Sequence, residues 1–219
     1  MIKIENIEVS GWEAAIRGMR NPMNSWDKSD SEFKGHYIDK PDLPYIGYND
    51  LKLMRDLLMA GTDHSKFMRM INVTMDVTAP LYWWKEADTY KVGTVRNSCS
   101  TMHKIAAKEF EIDDFSHEHL LNENAIFFGK ALERLNNARK KYLETKDKTY
   151  WWQLIQLLPS SYNQRATLQM NYAVLRNIYN SRKNHKLNEW CTFCHFIDTL
   201  PYSGLITDLG LMDNVRKQE

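Results

Sequence analysis

A polar segment in the middle of the chain carries several side chains that could do chemistry. It reads KVGTVRNSCSTMH (residues 91–103) and combines hydroxyl, amide, thiol and imidazole groups behind a glycine. Cys99 lies between two serines, and a thiolate nucleophile needs a neighbouring base or cation that lowers its pKa. Arg96, His103 and Lys104 are near enough in sequence for that role. The alternative is an incidental thiol in a polar loop.

A second candidate is the sequence CTFCH, from Cys191 to His195, which matches the C-x-x-C-H pattern of covalent haem attachment. Such haem proteins are exported, and the opening residues lack the basic segment and apolar run of an export signal. The motif also lies in an amphipathic helical pattern in which Trp190, Cys194 and Ile197 share a face. Buried thiols are therefore the favoured interpretation. A zinc site would need a second pair of ligands, so we predict no metal site.

The common nucleotide-binding and hydrolytic motifs do not occur in the sequence. It contains no G-x-x-x-x-G-K-[ST], G-x-G-x-x-G, H-E-x-x-H or G-x-S-x-G. A phosphate-binding loop, a Rossmann dinucleotide site, a zinc protease and a hydrolase elbow are therefore all without support.

Composition limits the class of protein. A chain of 219 residues with 43% hydrophobic content can bury a substantial core. The 29 basic and 28 acidic residues nearly balance, which disfavours nucleic acid as a partner. No apolar run is long enough to span a membrane, and three cysteines in a chain of this length fit a reducing compartment. We therefore expect a cytoplasmic protein with no membrane partner.

Hydrophobic periodicity predicts the elements that must position the polar residues. A period of two predicts an opening strand over residues 2–9, a longer strand from Phe67 to Ala79, and a third strand from Arg165 to Asn171. Helical spacing occupies most of the remaining chain. The predicted helices are residues 11–20 after a Ser10 cap, 50–61 after an Asn49 cap, 80–91 opened by Pro80, 102–109, 117–144 after Ser116, 150–159, 172–182 after an Asn171 cap, and 186–199.

Residues 21–48 lack a clear period and are rich in Asp, Ser, Pro and Gly, which predicts a long irregular loop. No internal repeat or linker divides the chain. The sequence therefore predicts one domain over residues 1–219, of the α+β class, with a small sheet covered by many helices.

The middle of the chain resembles the flavin-dependent thymidylate synthases. In that family a strand ends in Ala-Pro, a helix follows, and the pattern RHRxxSxNExSxRY comes next. Ala79 and Pro80 match the Ala-Pro pair, and Thr89, Tyr90 and Lys91 stand where the family has Arg-His-Arg. After one inserted residue, the remaining correspondences are Asn97 and Ser100 for the family's Asn and second Ser, Ser98 for the acidic residue, Met102 for the later Arg and His103 for the Tyr.

The C-terminal part resembles the same family without a gap. The family carries a Leu-Pro, an Arg within a strand, an Asn at the strand end, another Asn on the next helix and an Arg five residues later. The matching residues here are Leu158, Pro159, Arg165, Asn171, Asn177 and Arg182, with His185 close to a family His. Upstream, GTDHSKF resembles the family's Gly-His-Glu-Thr-Pro-Phe, with His64 displaced by one position. The resemblance covers residues 49–200.

This resemblance implies a small antiparallel sheet and reductive methylation of dUMP at C5. The implied cofactor is FAD, with NADPH and methylenetetrahydrofolate as co-substrates, and the implied assembly is a homotetramer. It also implies roles for individual residues. Arg182 and Ser100 would be catalytic, Arg182 stabilising charge on the pyrimidine ring. The implied substrate-binding residues are Glu86, Ser98, Cys99, Ser100 and Arg182, and the implied flavin-binding residues are His64, Ser65, Tyr90, Lys91, Asn171 and Asn177.

Departures from the family pattern keep alternatives open. Lys91 cannot reproduce the two-pronged hydrogen bonding of an arginine on a phosphate, and Ile155 replaces a family arginine. Glu86 stands where the family has a substrate-binding Gln, and a carboxylate accepts but does not donate. The chain could act on another pyrimidine nucleotide, or bind nucleotide or flavin as an oligomer without turnover.

Several of these residues also have purely structural interpretations. Asn171 and Asn49 could be plain helix caps, and Arg182 could simply complement a helix dipole. The aromatic cluster of Tyr82, Trp83 and Trp84 is better explained by a core or a subunit interface than by a stacking platform.

Overall fold

The computed structural model describes residues 2–33 and 44–208. The strands are β1 (Lys3–Ser10), β2 (Asn72–Pro80), β3 (Thr94–Ser98) and β4 (Asn163–Asn171). The α-helices in the described ranges are α1 (Trp12–Arg20), α2 (Tyr48–Met59), α3 (Leu81–Ala87), α4 (Asn122–Thr145), α5 (Lys148–Leu157), α6 (Tyr172–Arg182), α7 (Asn188–Asp198) and α8 (Gly204–Thr207).

The strands form one four-stranded antiparallel sheet in the order β1-β2-β4-β3. The predicted α+β class, a small antiparallel sheet accompanied by many helices, is confirmed. Within the described residues, no helix combines the length and apolar character needed to cross a membrane.

The chain groups into two compact units, and all four strands contribute residues to both. The first unit comprises the described residues among Met1–Glu5, Asp76–Thr89 and Arg96–Thr167. One buried cluster of this unit consists of Ile105, Ala106, Phe110, Phe115, Leu135, Ala138 and Leu154. It lies where α4 packs on α5. The prediction of a single domain over residues 1–219 stays a prediction.

The second unit comprises the described residues among Asn6–Met75, Tyr90–Val95 and Leu168–Glu219. Its core is strongly aromatic. Trp12 of α1 packs edge-on against Tyr172 of α6 and against Tyr202, with ring centroids 5.3 Å apart in both cases. The α6 helix also packs against α7 and α8.

Strand β2 confirms the predicted alternation over most of its length. Val73, Met75, Val77 and Ala79 are all fully buried. The prediction was wrong for its first part, since a 3₁₀ turn spans Lys66–Arg69. Here the consecutive residues Phe67 and Met68 are both buried, which departs from the one-sided alternation that predicted the strand.

Two predicted caps are wrong and one is confirmed. Ser10 belongs to β1, and Gly11 caps α1 at φ 93°, where a Cβ would lie 1.9 Å from the carbonyl oxygen of Met70. Asn49 lies inside α2, which Gly47 precedes. Asn171 does cap α6, since its Oδ1 accepts from the amide of Val174 at 3.0 Å.

Other boundaries differ from the prediction. Residues 102–109 form turns rather than helices, and the helix that follows Pro80 ends at Ala87. The long helix begins at Asn122, five residues later than expected. Strand β3 had no hydrophobic alternation to reveal it because most of its side chains are exposed. Just beyond its end, the amide of Cys99 donates to the carbonyl of Arg165 at 2.8 Å.

The described part of the predicted loop over residues 21–48 contains short regular elements. Short 3₁₀ turns span Asn21–Met23 and Trp26–Lys28, and Glu32 pairs with Tyr45 in an isolated bridge. Residues 34–43 of that predicted loop lie outside the described residues.

A buried ion pair ties this segment to α1 and α2. The Nε of Arg20 donates to Oδ1 of Asp50 at 2.6 Å, and both side chains are almost completely buried. The second carboxylate oxygen accepts from the hydroxyls of Ser29 and Ser31 at 2.7 and 2.6 Å. Burial raises the pKa of Asp50, but hydrogen bonds from Ser31, Ser29 and Arg20 together outweigh it and hold the pKa below its usual value.

We predict that Asp50→Asn lowers the free energy of unfolding by about 3 kcal/mol at neutral pH, because it leaves the Arg20 charge buried without a counterion. Since folding lowers the pKa of Asp50, its stabilising effect is present above the unfolded pKa of about 4. It is lost as the pH falls through the folded value. Urea unfolding at pH 7 and at acidic pH measures both effects.

The matched control is Asp56→Asn, which removes an exposed ion pair with Lys52. We expect little change in stability from it. Equal losses in the two variants would contradict the role assigned to the buried pair.

Candidate active site

The side chain of Arg182 is held by two aromatic residues of the second unit. Arg182 is the last residue of α6, and its Nε donates to the hydroxyl of Tyr90 at 2.9 Å. The guanidinium carbon lies 4.8 Å from the ring centroid of Trp190 and 5.6 Å from that of Tyr90. Cation–π attraction and the hydrogen bond therefore act on the same guanidinium.

A tight turn fixes the backbone on which Tyr90 lies. Thr94 closes the turn, because its amide donates to the carbonyl of Lys91 at 3.3 Å and its hydroxyl to the carbonyl of Tyr90 at 2.7 Å. Gly93 has φ 81°, and a Cβ at this position would lie 3.1 Å from Nδ2 of Asn171. Glycine thus permits both the backbone conformation and the close approach to the start of α6.

Three predicted site residues are spread along α6. Asn171 begins the helix and Arg182 ends it, so their backbones are about 16 Å apart at the rise of an α-helix. Asn177, between them, is exposed. Because Oδ1 of Asn171 is engaged in capping, this residue has the structural role considered from the sequence, and its Nδ2 faces the Gly93 turn.

His64 and Ser65 also belong to the second unit and lie in the segment that follows α2. The exposed His64 lines a cavity of about 500 Å³. Charged and polar residues such as Asp63 and Lys66 share its wall with the apolar side chains of Leu53 and Phe67. Ser65 is tied into the local turn, where its hydroxyl donates to the carbonyl of Thr62 at 3.4 Å.

The serines of the polar segment belong to the first unit. Ser98 ends β3 and is exposed. The hydroxyl oxygen of Ser100 accepts from the amides of Met102 and His103 at 3.2 and 3.1 Å. Ser100 therefore stabilises the turn that follows β3. Its hydroxyl group also has one hydrogen that it can donate.

Cys99 is an exposed free thiol held by its backbone. Its amide donates to the carbonyl of Arg165, and its carbonyl accepts from Nε2 of Gln164 at 2.7 Å.

Glu86 is half-buried in the last turn of α3, and its carbonyl accepts from the hydroxyl of Thr89 at 2.7 Å.

Arg96 organises the polar segment in a way that the sequence did not reveal. Its guanidinium carbon lies 4.0 Å from the ring centroid of Trp84. One terminal nitrogen bonds both carboxylate oxygens of Asp88, at 2.7 and 2.9 Å, and the other bonds Oε1 of Gln164 at 2.7 Å. Arg96 therefore links β3 to Trp84, Asp88 and Gln164, and only the tertiary structure shows it, since Gln164 is 68 residues away.

The C-x-x-C-H residues differ in their exposure to solvent. Cys194 is buried, and burial raises the pKa of its thiol to about 11. The thiol of Cys191 donates to the carbonyl of His185 at 3.2 Å, whereas the side chain of His195 is largely exposed. The buried-thiol interpretation is confirmed for Cys194. In the described part of the chain, no group of three or more His, Cys, Asp or Glu side chains could hold a metal ion.

The aromatic cluster after β2 is confirmed as core. Trp83 is fully buried and Trp84 nearly so, with their ring centroids 4.9 Å apart. The indole nitrogen of Trp84 donates to the carbonyl of Gln164 at 2.9 Å.

Comparison with known proteins places this geometry in a known fold. The sequence matches no protein-family model and no curated protein. Its structure, however, resembles the flavin-dependent thymidylate synthase ThyX from Helicobacter pylori complexed with FAD and dUMP, with a TM-score of 0.66 and 16% identity over 93% of this chain and 99% of that one.

The chain has the fold of the flavin-dependent thymidylate synthases. A second structure of the Helicobacter pylori ThyX with FAD and dUMP gives the same TM-score of 0.66, at 15% identity over 97% of this chain and 100% of that one. The UMP/dUMP methylase PolB from Streptomyces cacaoi, bound with 5-Br dUMP, matches at 0.55, with 14% identity over 82% and 76% of the two chains. The resemblance inferred from the sequence is thus confirmed at the level of the fold.

We predict that Arg96→Lys lowers the free energy of unfolding by about 1–2 kcal/mol, because lysine cannot stack on Trp84 while bonding both Asp88 and Gln164. Chemical denaturation measures the change. The matched control is Arg17→Lys, at an exposed α1 position, where we expect little effect. Indistinguishable stabilities for the two variants would show that the Arg96 contacts contribute nothing.

Proposed function

We propose that this protein is a flavin-dependent thymidylate synthase-like enzyme that methylates dUMP at C5, with methylenetetrahydrofolate as the one-carbon donor and NADPH as the reductant. In the overall reaction, C5 exchanges its hydrogen for a methyl group, and the carbon is reduced from methylene to methyl by a hydride that originates from NADPH. The observation that carries the proposal is the Arg182 guanidinium, held by Tyr90 and Trp190 at the end of α6.

Arg182 is suited to binding an anionic nucleotide. Arginine stays ionised at all physiological pH values, and its fork of N–H donors matches phosphate and carbonyl oxygens. A guanidinium that is already positioned can stabilise negative charge as it develops on a pyrimidine ring without costly reorganisation. In this proposal Arg182 is the catalytic residue that contacts the ring.

The residues present fit FAD, an elongated anionic cofactor. Asn171 and Asn177 offer amide donors along α6, and Lys91 offers a cation on the adjoining turn. The cavity beside His64 combines an imidazole, a lysine and apolar walls, a mixture common in cofactor sites. When bound, FAD would supply the redox chemistry between the reductant and the one-carbon unit.

The chain's own residues would bind and orient the nucleotide. Ser100 would donate its hydroxyl hydrogen to the nucleotide, since its oxygen already accepts from two backbone amides. The exposed residues Ser98 and Cys99 directly precede Ser100 and would complete this contact. Glu86 would accept a hydrogen bond from the N3–H edge of a uracil ring.

We predict that the purified chain, mixed with FAD, NADPH, methylenetetrahydrofolate and dUMP, adds one methyl group to the nucleotide, as detected by mass spectrometry. Arg182→Ala should reduce kcat by about 10²–10³-fold, as removal of a charge-stabilising donor does in other enzymes. Lys183→Ala, at the exposed neighbouring position, should not change kcat. A clean blank with the unsubstituted chain would contradict the proposal.

A second candidate substrate follows from one of the comparisons. The Streptomyces cacaoi neighbour is described as a UMP/dUMP methylase, so UMP should be tested in parallel with dUMP and dCMP. Methylation of UMP or dCMP alone would favour a relative that acts on another pyrimidine nucleotide. Binding of nucleotide and FAD without a mass gain would favour a non-catalytic oligomer.

We predict that Cys99→Ala retains turnover of dUMP within about two-fold, because the proposed reaction gives this thiol no bond to the substrate. Steady-state kinetics with the same mixture measures kcat. Abolished turnover in a correctly folded Cys99→Ala variant would instead assign the thiol a nucleophilic role.

Two further expectations belong to this proposal. A cytoplasmic location was inferred from composition, and a homotetramer from the family resemblance. Both stay predictions, which fractionation of the source cells and sedimentation of the purified protein would check.

A further inference from the structure

Tyr90 occupies the middle position of the triplet where the resembled family has Arg-His-Arg, and the resemblance implied a role in flavin binding. Its hydroxyl, however, accepts a hydrogen bond from Nε of Arg182 at 2.9 Å. We infer that Tyr90 is a positioning residue, which sets the direction of the Arg182 guanidinium for nucleotide binding. This inference rests on the proposed function.

The ring of Tyr90 is itself anchored. It packs edge-on against the fully buried Trp190 with ring centroids 5.9 Å apart. Trp190 in turn contacts Phe193 edge-on at 5.9 Å, within α7. The hydroxyl that receives Arg182 therefore lies on a ring backed by packed aromatic core, and its position follows from that packing.

The backbone of Tyr90 is anchored independently. Thr94 bonds the carbonyl of Tyr90 through its side chain, and Gly93 lies against the first turn of α6. The same helix thus contacts the turn at its start and, through Arg182, at its end. An arginine otherwise has many rotamers, and restricting them before a ligand arrives lowers the entropy cost of binding.

A double-mutant cycle tests this role. Dissociation constants for dUMP are measured calorimetrically, with excess FAD, for the unsubstituted chain, Tyr90→Phe, Arg182→Ala and the double variant. Tyr90→Phe keeps the ring and should raise Kd about ten-fold, as loss of a hydrogen bond to a charged group does. In the Arg182→Ala background the same change should alter Kd less than about two-fold, because the two groups act together.

The matched control is Tyr202→Phe. The hydroxyl of Tyr202 bonds the backbone of Ile46 and Pro44, so its loss should lower the unfolding midpoint without raising the Kd for dUMP. A readout without nucleotide accompanies the cycle. In ¹⁵N-labelled protein, the Nε–H of Arg182 should exchange with water faster in Tyr90→Phe than in the unsubstituted chain.

The results distinguish the positioning role of Tyr90 from the proposed function of the protein. An unchanged Kd in Tyr90→Phe, or the same increase in both Arg182 backgrounds, would overturn the role of Tyr90 and leave the proposed function intact. Failure of the unsubstituted chain to bind dUMP or UMP would contradict the proposed function, and the role of Tyr90 in nucleotide binding would fall with it.

Discussion

Strand β4 passes into helix α6 at Asn171 without a loop, and this junction determines where Arg182 lies. Asn171 is both the last residue of the strand and the cap of the helix, and its side chain satisfies the amide of Val174. The next amide, of Tyr172, donates to the carbonyl of Ile71 at 3.0 Å. Because the side chain of Asn171 and the amide of Tyr172 are both hydrogen-bonded, the sheet sets the direction of α6. Arg182 lies three turns further along the helix, in contact with Tyr90 and Trp190.

Several polar residues of this protein make contacts that stabilise the fold itself. Arg96 joins Trp84, Asp88 and Gln164, and the hydroxyl oxygen of Ser100 holds a turn. Backbone and side-chain hydrogen bonds of this kind restrict β3 and the turn around Ser100, before Ile105 and Ala106 enter the buried cluster of the first unit. A polar segment can be ordered in this way because hydrogen bonds within the protein replace those to water, although Nε of Arg96 is a buried donor without a partner among the described residues.

The tertiary structure shows which contacts are made by a residue that departs from the resembled family pattern. Tyr90 stands at a family histidine position and bonds an arginine that lies 92 residues later in the sequence. The aromatic partner Trp190 comes from yet another helix. The fold is shared with proteins whose structures hold dUMP or 5-Br dUMP, and in this chain the contacts around Arg182 come from Tyr90 and Trp190.

The sequence alone determined the α+β class, β1, most of β2, β4 and, apart from some of their boundaries, the helices from α1 to α7, because alternation and helical spacing report burial directly. It also identified the Asn171 cap and the spacing of Asn171, Asn177 and Arg182. Only the tertiary structure decided the rest. Strand β3 is largely exposed and is defined by backbone pairing, which leaves no hydrophobic pattern. The contacts of Arg182 with Tyr90 and of Arg96 with Gln164 join residues far apart in sequence, and no local pattern encodes a distance between two side chains that only folding brings together.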